Sequence, residues 1–503
     1  MKNKVLFYLD ADFTHFSIAY FLQQKLDNCE LYAIIDITNK PKNFFLNQKL
    51  VNFKKIWFLH DNIDPNYRVT NTDYLKKIAD EYELDLWKII SNDRIFYGFF
   101  NFHKFSRTEL LSLTEQQAKF FLNIINEINP NFLILAQPAL FHSELLYELA
   151  KSSKIKCMVL SQPKIGGKCL ISESVRKIDN IDSLEDLQYT DRTQDELLTY
   201  FQKKAPYKIF KKYYDNLSNS RSELLFAGFR YIINNNDHEK THYTYFGRTK
   251  GNVVLSTIGG MIKKKIREKF MEKNLPKRLE NNFQYIYFPM SVDMERNVLI
   301  DTPFYTNQIE IIRIVAKSLP INFRLVVKEN PGQTTREWRK ISEYKQIMSI
   351  PNTILIHPDF PSEKLIKNSS LVISLSGSSP LEAAFYQKPA IVFGDVVYSL
   401  IPSIFKVNTL EQLPKLIEKA ISSKVDLSYL NRFIDLIEKN TVNFDMFEFQ
   451  TLFNKKFYYQ GYLFDVEIDE EDIKKFLDEI KDGFRDITDY HVRKISENKE
   501  IKS

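Results

Sequence analysis

The chain has 503 residues and a net charge of +6, with 70 basic against 64 acidic side chains. That length excludes one simple core and calls for two or three domains, while 44% hydrophobic and 27% charged residues exclude a disordered chain. So mild a basic excess gives no reason to expect a nucleic-acid partner.

Three cysteines, Cys29, Cys157 and Cys169, are odd in number and lack metal-ligand spacing. They fit a reducing compartment, and no metal site is expected. The N-terminal MKNKVLFYLDADF runs straight into a strand without a signal-peptide core, and no apolar run approaches the ~20 residues of a membrane span. A cytoplasmic location is the expectation. Glycine is scarce, 13 in all, so Gly377 and Gly394 carry more information than usual.

Val5–Leu9 reads as a first buried strand, followed by Asp10, Asp12, Thr14 and His15 and a helix over Ser17–Leu26. Further strands are predicted at Leu31–Ile37, Ile56–His60, Phe132–Leu135 and Cys157–Leu160. Helices are predicted between them at Tyr74–Ile90, Ser106–Ile128 and Leu140–Lys151. This alternation predicts a parallel, doubly wound sheet over residues 1–190. In such a sheet, ligands bind beyond the carboxyl ends of the strands.

Residues 191–280 read as a helical insert. It contains the basic run Lys263-Lys264-Lys265-Ile266-Arg267-Glu268-Lys269. That run suits peripheral docking on an anionic membrane face; its plainer reading is a solvated helix face.

A second α/β domain is predicted over 281–425, with strands at Tyr285–Phe288, Phe323–Val327, Thr353–Ile356, Leu371–Ile373, Ala390–Phe393 and Ile404–Val407. Helices are predicted at Asn307–Ser318 and Leu410–Ile421, and a helical tail over 426–503. The fold class expected is therefore α/β: two Rossmann-like doubly wound domains facing a cleft, with a helical insert and a helical tail.

Three loops of the second domain follow strand ends: Ser291–Asn297, Lys328–Gln333 and Ser374–Ser379. They supply Ser291, Arg296, Lys328, Glu329 and Asn330, then the turn Ser376-Gly377-Ser378-Ser379. Pro380 opens a helix there, at a position where its missing N–H is no loss. Cations with hydroxyl and amide donors suit a diphosphate. Glu382, one turn into that helix, is placed to accept from ribose hydroxyls. The plain alternatives are an ordinary strand–helix turn and a solvent-facing glutamate.

The runs VVKENP and IPNTILIHPDFPSEKLIKNSSLVISLSGSSPLEAAFYQKPAIVFGD resemble the C-terminal half of GT-B-type surface-carbohydrate glycosyltransferases, in particular the capsule polysaccharide biosynthesis family. The stretch LAQPALFHSELLYELAKSSKIKCMVLSQPKIGG is similar to the late part of that family's N-terminal domain. The resemblance implies a nucleotide-sugar donor on the second domain and a glycan or lipid-linked glycan acceptor on the first. It also implies no metal or other cofactor, since helix termini and basic side chains neutralise the leaving phosphate. An inverting course needs a base near the acceptor hydroxyl. Asp12, His15 and His142 are the candidates, because they follow first-domain strands. Where the family carries His-Pro after the Lys-Glu pair, this chain has Asn330-Pro331, a neutral donor in place of a cation; His357-Pro358 lies one strand later.

Two other readings compete. VLFYLDADFT matches the D-x-D-x-T signature of haloacid-dehalogenase-type phosphatases, with Asp10 as nucleophile, Asp12 as acid/base and Mg²⁺ between them. Lys388 and Asp395 are too close together for that fold's later motifs, and GDVVYS lacks the second acid expected there. The other is a GT-B-like protein that binds a glycan without turnover.

Overall fold

The computed structural model of the chain describes residues 2–26, 28–37, 40–96, 102–204, 221–233, 243–280, 282–459 and 465–500. In chain order its strands are β1 (Asn3–Leu9), β2 (Cys29–Ile35), β3 (Phe53–Phe58), β4 (Phe132–Ala136), β5 (Lys156–Ser161), β6 (Cys169–Ser172), β7 (Gln284–Pro289), β8 (Phe323–Lys328), β9 (Thr353–Ile356), β10 (Leu371–Ser374), β11 (Ala390–Val392), β12 (Ile404–Lys406) and β13 (Thr441–Val442). They form two sheets. The chain divides into two compact units, the first made of Met1–Asp179, Lys204–Lys250 and Asn440–Ser503, the second of Asn180–Lys203 and Gly251–Lys439. Two doubly wound α/β units are thus present, as the alternating pattern predicts. Residues 205–220 and 234–242 of the expected helical insert lie outside the described residues.

In the first unit β1 is apolar at every inner position because a central parallel strand is covered on both faces. Val5, Phe7 and Leu9 enter one core with Phe13 and Phe16, while Leu6 and Tyr8 enter the other with Ile34 and Leu133. The alternation is the two-residue period of a strand. The order is β3-β2-β1-β4-β5, all parallel, extended by β6 and β13, each antiparallel to its inner neighbour. One core is completed from the far end of the chain. Phe449, Phe453, Phe476 and Ile487 come from the helices Met446–Phe457, Glu470–Ile480 and Arg485–Glu500. Phe13 and Phe453 stack with ring centroids 4.7 Å apart.

The single helix predicted over Tyr74–Ile90 is two, Thr72–Glu81 and Leu86–Ser91. Glu83 takes φ 53° between them, and the Asp85 carboxylate accepts from the Lys88 amide at 3.0 Å to start the second.

The second unit holds six parallel strands in the order β12-β11-β10-β7-β8-β9. The chain winds outward from β7 through β8 and β9, then returns to wind the other way from β10. The order therefore reverses between β7 and β10, and in the first unit between β1 and β4. At such reversals the connections leave in opposite directions and a crevice opens at the carboxyl ends. Among the described residues no helix is long and apolar enough to cross a membrane.

Candidate functional site

The site of the second unit is built at that reversal. Register pairs Val372 of β10 with Tyr287 of β7, so the two strands end level. After β10 the turn is held from several sides. The buried Ser376 hydroxyl donates to the Asn297 carbonyl at 2.7 Å. The Tyr398 hydroxyl donates to the Gly377 carbonyl. The amides of Phe393 and Gly394 both donate to the Leu375 carbonyl at 3.0 Å. The helix Ser379–Phe385 then starts with Pro380 in its first turn. Ser378 donates its hydroxyl to Glu382 at 2.9 Å, so turn and carboxylate act as one piece.

Lys328 ends β8 beside this turn. It is 5% exposed and donates to the Ser362 hydroxyl at 2.7 Å. Burial pulls its ammonium down to about 8, against the opposing charges of Asp359, Glu382 and Glu329. Burial also pushes the Glu382 carboxyl up, opposed by the Ser378 hydroxyl and by Lys328. Lys328, Ser378 and Glu382 are thus brought together as the sequence suggests. Ser362, the first residue of the helix Ser362–Asn368, is a further member that the sequence reading missed. Its only signal is a serine after Pro361 at a helix start.

The remaining predicted residues serve the frame. Glu329 is expected to face a donor; instead it is 0% exposed and turned inward. Its carboxylate accepts from Arg339 Nε at 2.7 Å, from the Tyr344 hydroxyl at 3.1 Å and from the Asn330 amide at 2.7 Å. The same guanidinium donates to the Ser291 carbonyl at 2.7 Å and pairs with Asp293. It ties the loop after β7 to the loop after β8.

Asn330 accepts from the Gly332 amide at 2.9 Å, opening the short 3₁₀ turn Pro331–Arg336. Its side chain holds backbone in the i to i+2 turn that asparagine favours. Arg296 pairs with Asp301 at 2.6 Å. Ser291 is fixed through its backbone, its amide donating to Gln308 Oε1 at 2.8 Å.

His357 accepts at Nδ1 from the Asp359 amide at 3.2 Å, and its Nε2 lies 3.3 Å from Glu272. Glu272, His357 and Asp359 each bring one ligand-type atom within 4.8 Å of the others. Both ring nitrogens are engaged within the protein, however, and Glu272 also pairs with Lys277.

In the first unit the predicted acid–base residues separate. Asp12 is spent on structure: it accepts from the Thr14 amide and from Gln450 Nε2, each at 2.8 Å. Asp10 accepts from the Asp12 amide at 3.3 Å, and burial beside Asp12 and Asp36 pushes its carboxyl well up. The D-x-D run thus forms the turn that opens the helix Thr14–Gln23, Asp10 and Asp12 each accepting from a backbone amide. His15 is enclosed in the helix Thr14–Gln23, 1% exposed, with burial pulling it down.

His142 has a different fate. Its Nε2 lies 2.9 Å from Asp36 Oδ2. Asp36, just after β2, also receives the Tyr8 hydroxyl at 2.8 Å and faces His60 Nε2 at 3.3 Å. On its other side, His142 Nδ1 meets the Tyr243 hydroxyl at 3.0 Å, and that hydroxyl donates to Asp93 at 3.0 Å. Asp93 already accepts from the amides of Ile95 and Phe141, each at 2.6 Å. The directions follow. Tyr243 gives its proton to Asp93, so its oxygen accepts from His142 Nδ1–H. His142 Nε2 then faces the Asp36 carboxylate across 2.9 Å. The Asp36 side chain is 16% exposed against 2% for His142, so Asp36 is the face of the relay that meets solvent. Asp36 and His60 carried a readable signal, a polar group at the end of a predicted strand. Asp93 and Tyr243 carried none.

Residues 193–411 match the family described as capsule polysaccharide biosynthesis protein. Over a little under half its length the chain therefore resembles that family, and the whole second-unit site lies inside the matched stretch. No curated protein matches the chain. Among solved structures, the UDP-GlcNAc 2-epimerase from Methanocaldococcus jannaschii is 12% identical, over 87% of this chain and 100% of that one, with a TM-score of 0.24. KpsC from Thermosulfurimonas dismutans, a β-Kdo 2,7 transferase, is 14% identical over 70% and 87%, with a TM-score of 0.29. A glycosyltransferase from Rickettsia africae is 14% identical over 92% and 99%, with a TM-score of 0.24. Likenesses this low transfer no activity.

Proposed function

We propose that this protein is a GT-B-type glycosyltransferase of surface-polysaccharide biosynthesis, taking a sugar from a nucleotide-sugar donor to a glycan or lipid-linked glycan acceptor. The family match over residues 193–411 supports the role in polysaccharide biosynthesis. The observation that carries the donor assignment is Lys328, a lysine almost wholly buried at a strand end, beside a serine–glycine turn and a ribose-type acceptor, Glu382. An ammonium kept from water at such a place costs stability unless an anion meets it. A nucleotide diphosphate or monophosphate offers that anion.

In this reading Lys328 and the donors of the Ser376–Ser379 turn hold the donor phosphates and stabilise the charge that grows on the leaving group. Glu382 accepts from the ribose. No metal is called on. Asp36 takes the proton of the acceptor hydroxyl onto its carboxylate, and His142, fixed by Tyr243 and Asp93, holds that carboxylate in place. Asp12 and His15 have no part in the step. A cytoplasmic location accords with three cysteines that are odd in number and lack metal-ligand spacing.

Calorimetry with CMP-, UDP- and GDP-sugars tests the assignment. One nucleotide class should bind, and Lys328→Ala and Ser378→Ala should each weaken it by about 1–3 kcal/mol, the worth of a hydrogen bond to a charged group. Unchanged affinity in both variants would remove the phosphate site.

A further inference from the structure

The helix Lys250–Asn274 is anchored along one side. Gly260 is buried so close to Glu337 that an added Cβ would collide with its carboxylate. Arg267 donates to the carbonyls of Glu337 and Trp338 at 2.9 and 2.7 Å, and Glu268 accepts from the Trp338 indole at 3.1 Å. Met271 enters the core of the second unit. Among the described residues nothing covers the opposite side. Leu255, Ile258, Met261, Ile262 and Ile266 are all exposed, Leu255 by 70%. Positions 255, 258, 262 and 266 follow the three-and-four spacing of one helical face. The exposed Lys263, Lys265 and Lys269 flank that stripe, and Glu268 is turned away. In the first unit the helix Arg221–Ile233 repeats the pattern: Leu225, Phe226, Phe229, Ile232 and Ile233 are exposed, Leu225 by 74%.

From these faces we infer that the protein docks on an anionic phospholipid bilayer, with the 250–274 helix lying in the interface. Isolated exposed apolar residues are ordinary, but a row of them on a helix whose other face is fixed marks a surface made to be covered. Charge decides what covers it. Residues 250–267, which carry the stripe, contain no acidic side chain, so a second copy laid along the stripe offers no carboxylate beside Lys263 and Lys265. A bilayer offers both acyl chains for the stripe and phosphate for the flanking ammonium groups. The helix is too polar to cross the membrane, which leaves it on the surface.

Sedimentation of the whole protein with vesicles tests this. Vesicles of phosphatidylcholine mixed equally with phosphatidylglycerol should carry it down. Phosphatidylcholine alone should bind at least about tenfold more weakly, and added salt should release the protein. Lys263→Glu with Lys265→Glu and Lys269→Glu should abolish the preference for anionic lipid. Leu255→Ser with Ile262→Ser should weaken binding to both vesicle types. Because these side chains are exposed, circular dichroism of the variants should match the parent. In Ile262→Trp the indole emission should shift to the blue on adding mixed vesicles. The inference fails if the parent does not sediment, if the glutamate variant sediments equally well, or if the emission of the Ile262→Trp variant does not move. It also fails if light scattering shows a dimer that Leu255→Ser with Ile262→Ser dissolves, since the stripe would then belong to a second copy.

Discussion

His142 Nε2 lies 2.9 Å from Asp36 Oδ2, with Tyr243 and Asp93 fixing the far side of the ring. Of the pair, only the aspartate reaches solvent to any extent. Asp36→Asn keeps the shape and removes the basic oxygen. Sugar transfer should fall by roughly 10²–10⁴, the usual worth of an acid–base group, with donor KM little changed. His142→Gln should lose less and should alter the pH profile, because it acts through Asp36. Steady-state transfer rates of both variants across pH decide the matter. An Asp36→Asn enzyme within about threefold of the parent would contradict the role.

Lys328 predicts a proton count. Burial depresses its ammonium to about 8 from the ordinary lysine value near 10.5. Near pH 8 the free protein is therefore part neutral at this site, and a bound phosphate draws the missing proton in. Binding should take up a fraction of a proton at pH 8, seen as a calorimetric enthalpy that varies with the ionisation enthalpy of the buffer. Affinity should decline as pH rises further. The stability effect has a definite sign. The folded value lies below the unfolded one, so between pH 8 and 10.5 the unfolded chain holds more protons and this group favours folding increasingly as pH rises. Below pH 8 its full cost is present, on the order of 3 kcal/mol from the cited shift. A buffer-independent enthalpy would remove the linkage.

The sequence was most legible where strand ends carry chemistry. The buried runs gave the parallel strands of both sheets but not the short antiparallel β6 and β13, and the turn after β10, Lys328 and Glu382 were readable because all three follow a strand or open a helix. Glu329 misled, since a polar residue directly after a strand looks alike whether it faces solvent or turns inward, and Arg339, ten residues on, decides which. Asp12 misled for a related reason: its partner Gln450 arrives from a helix over four hundred residues later. Tyr243 and Phe453 are similar cases. Each completes a layer from a distant part of the chain, and no local period announces a contact of that range.

The Glu329–Arg339 pair should matter to stability rather than to ligand contact. Both side chains are buried, with Nε and Oε2 2.7 Å apart, and the guanidinium also braces the loop after β7. Arg339→Met leaves Glu329 buried without its cation, at a cost of up to about 3–5 kcal/mol, whereas Glu329→Gln leaves the guanidinium its pairing with Asp293 and costs less. Glu329→Gln and Arg339→Met should each lower the urea midpoint accordingly. The double variant should cost less than the sum of the two, as coupled neighbours do. Strict additivity would show that the two residues are not braced together.

Gly394 closes the site's frame by close approach. It follows β11, its amide reaches back to the Leu375 carbonyl, and a Cβ placed on it would stand 2.7 Å from the Asp301 carbonyl and 2.9 Å from Thr302 Cγ2. Backbone cannot yield there as a flexible side-chain end could. Asp301 in turn holds Arg296. Gly394→Ala should therefore push the 296–302 segment away from the turn after β10. It should cost about 1–3 kcal/mol of stability, the range for overpacking, and weaken nucleotide binding in the folded fraction, although residue 394 is not among the donor contacts. Denaturation and calorimetry on the same preparation separate the two effects. Normal affinity with normal stability would show that this approach has slack and that the turn does not depend on it.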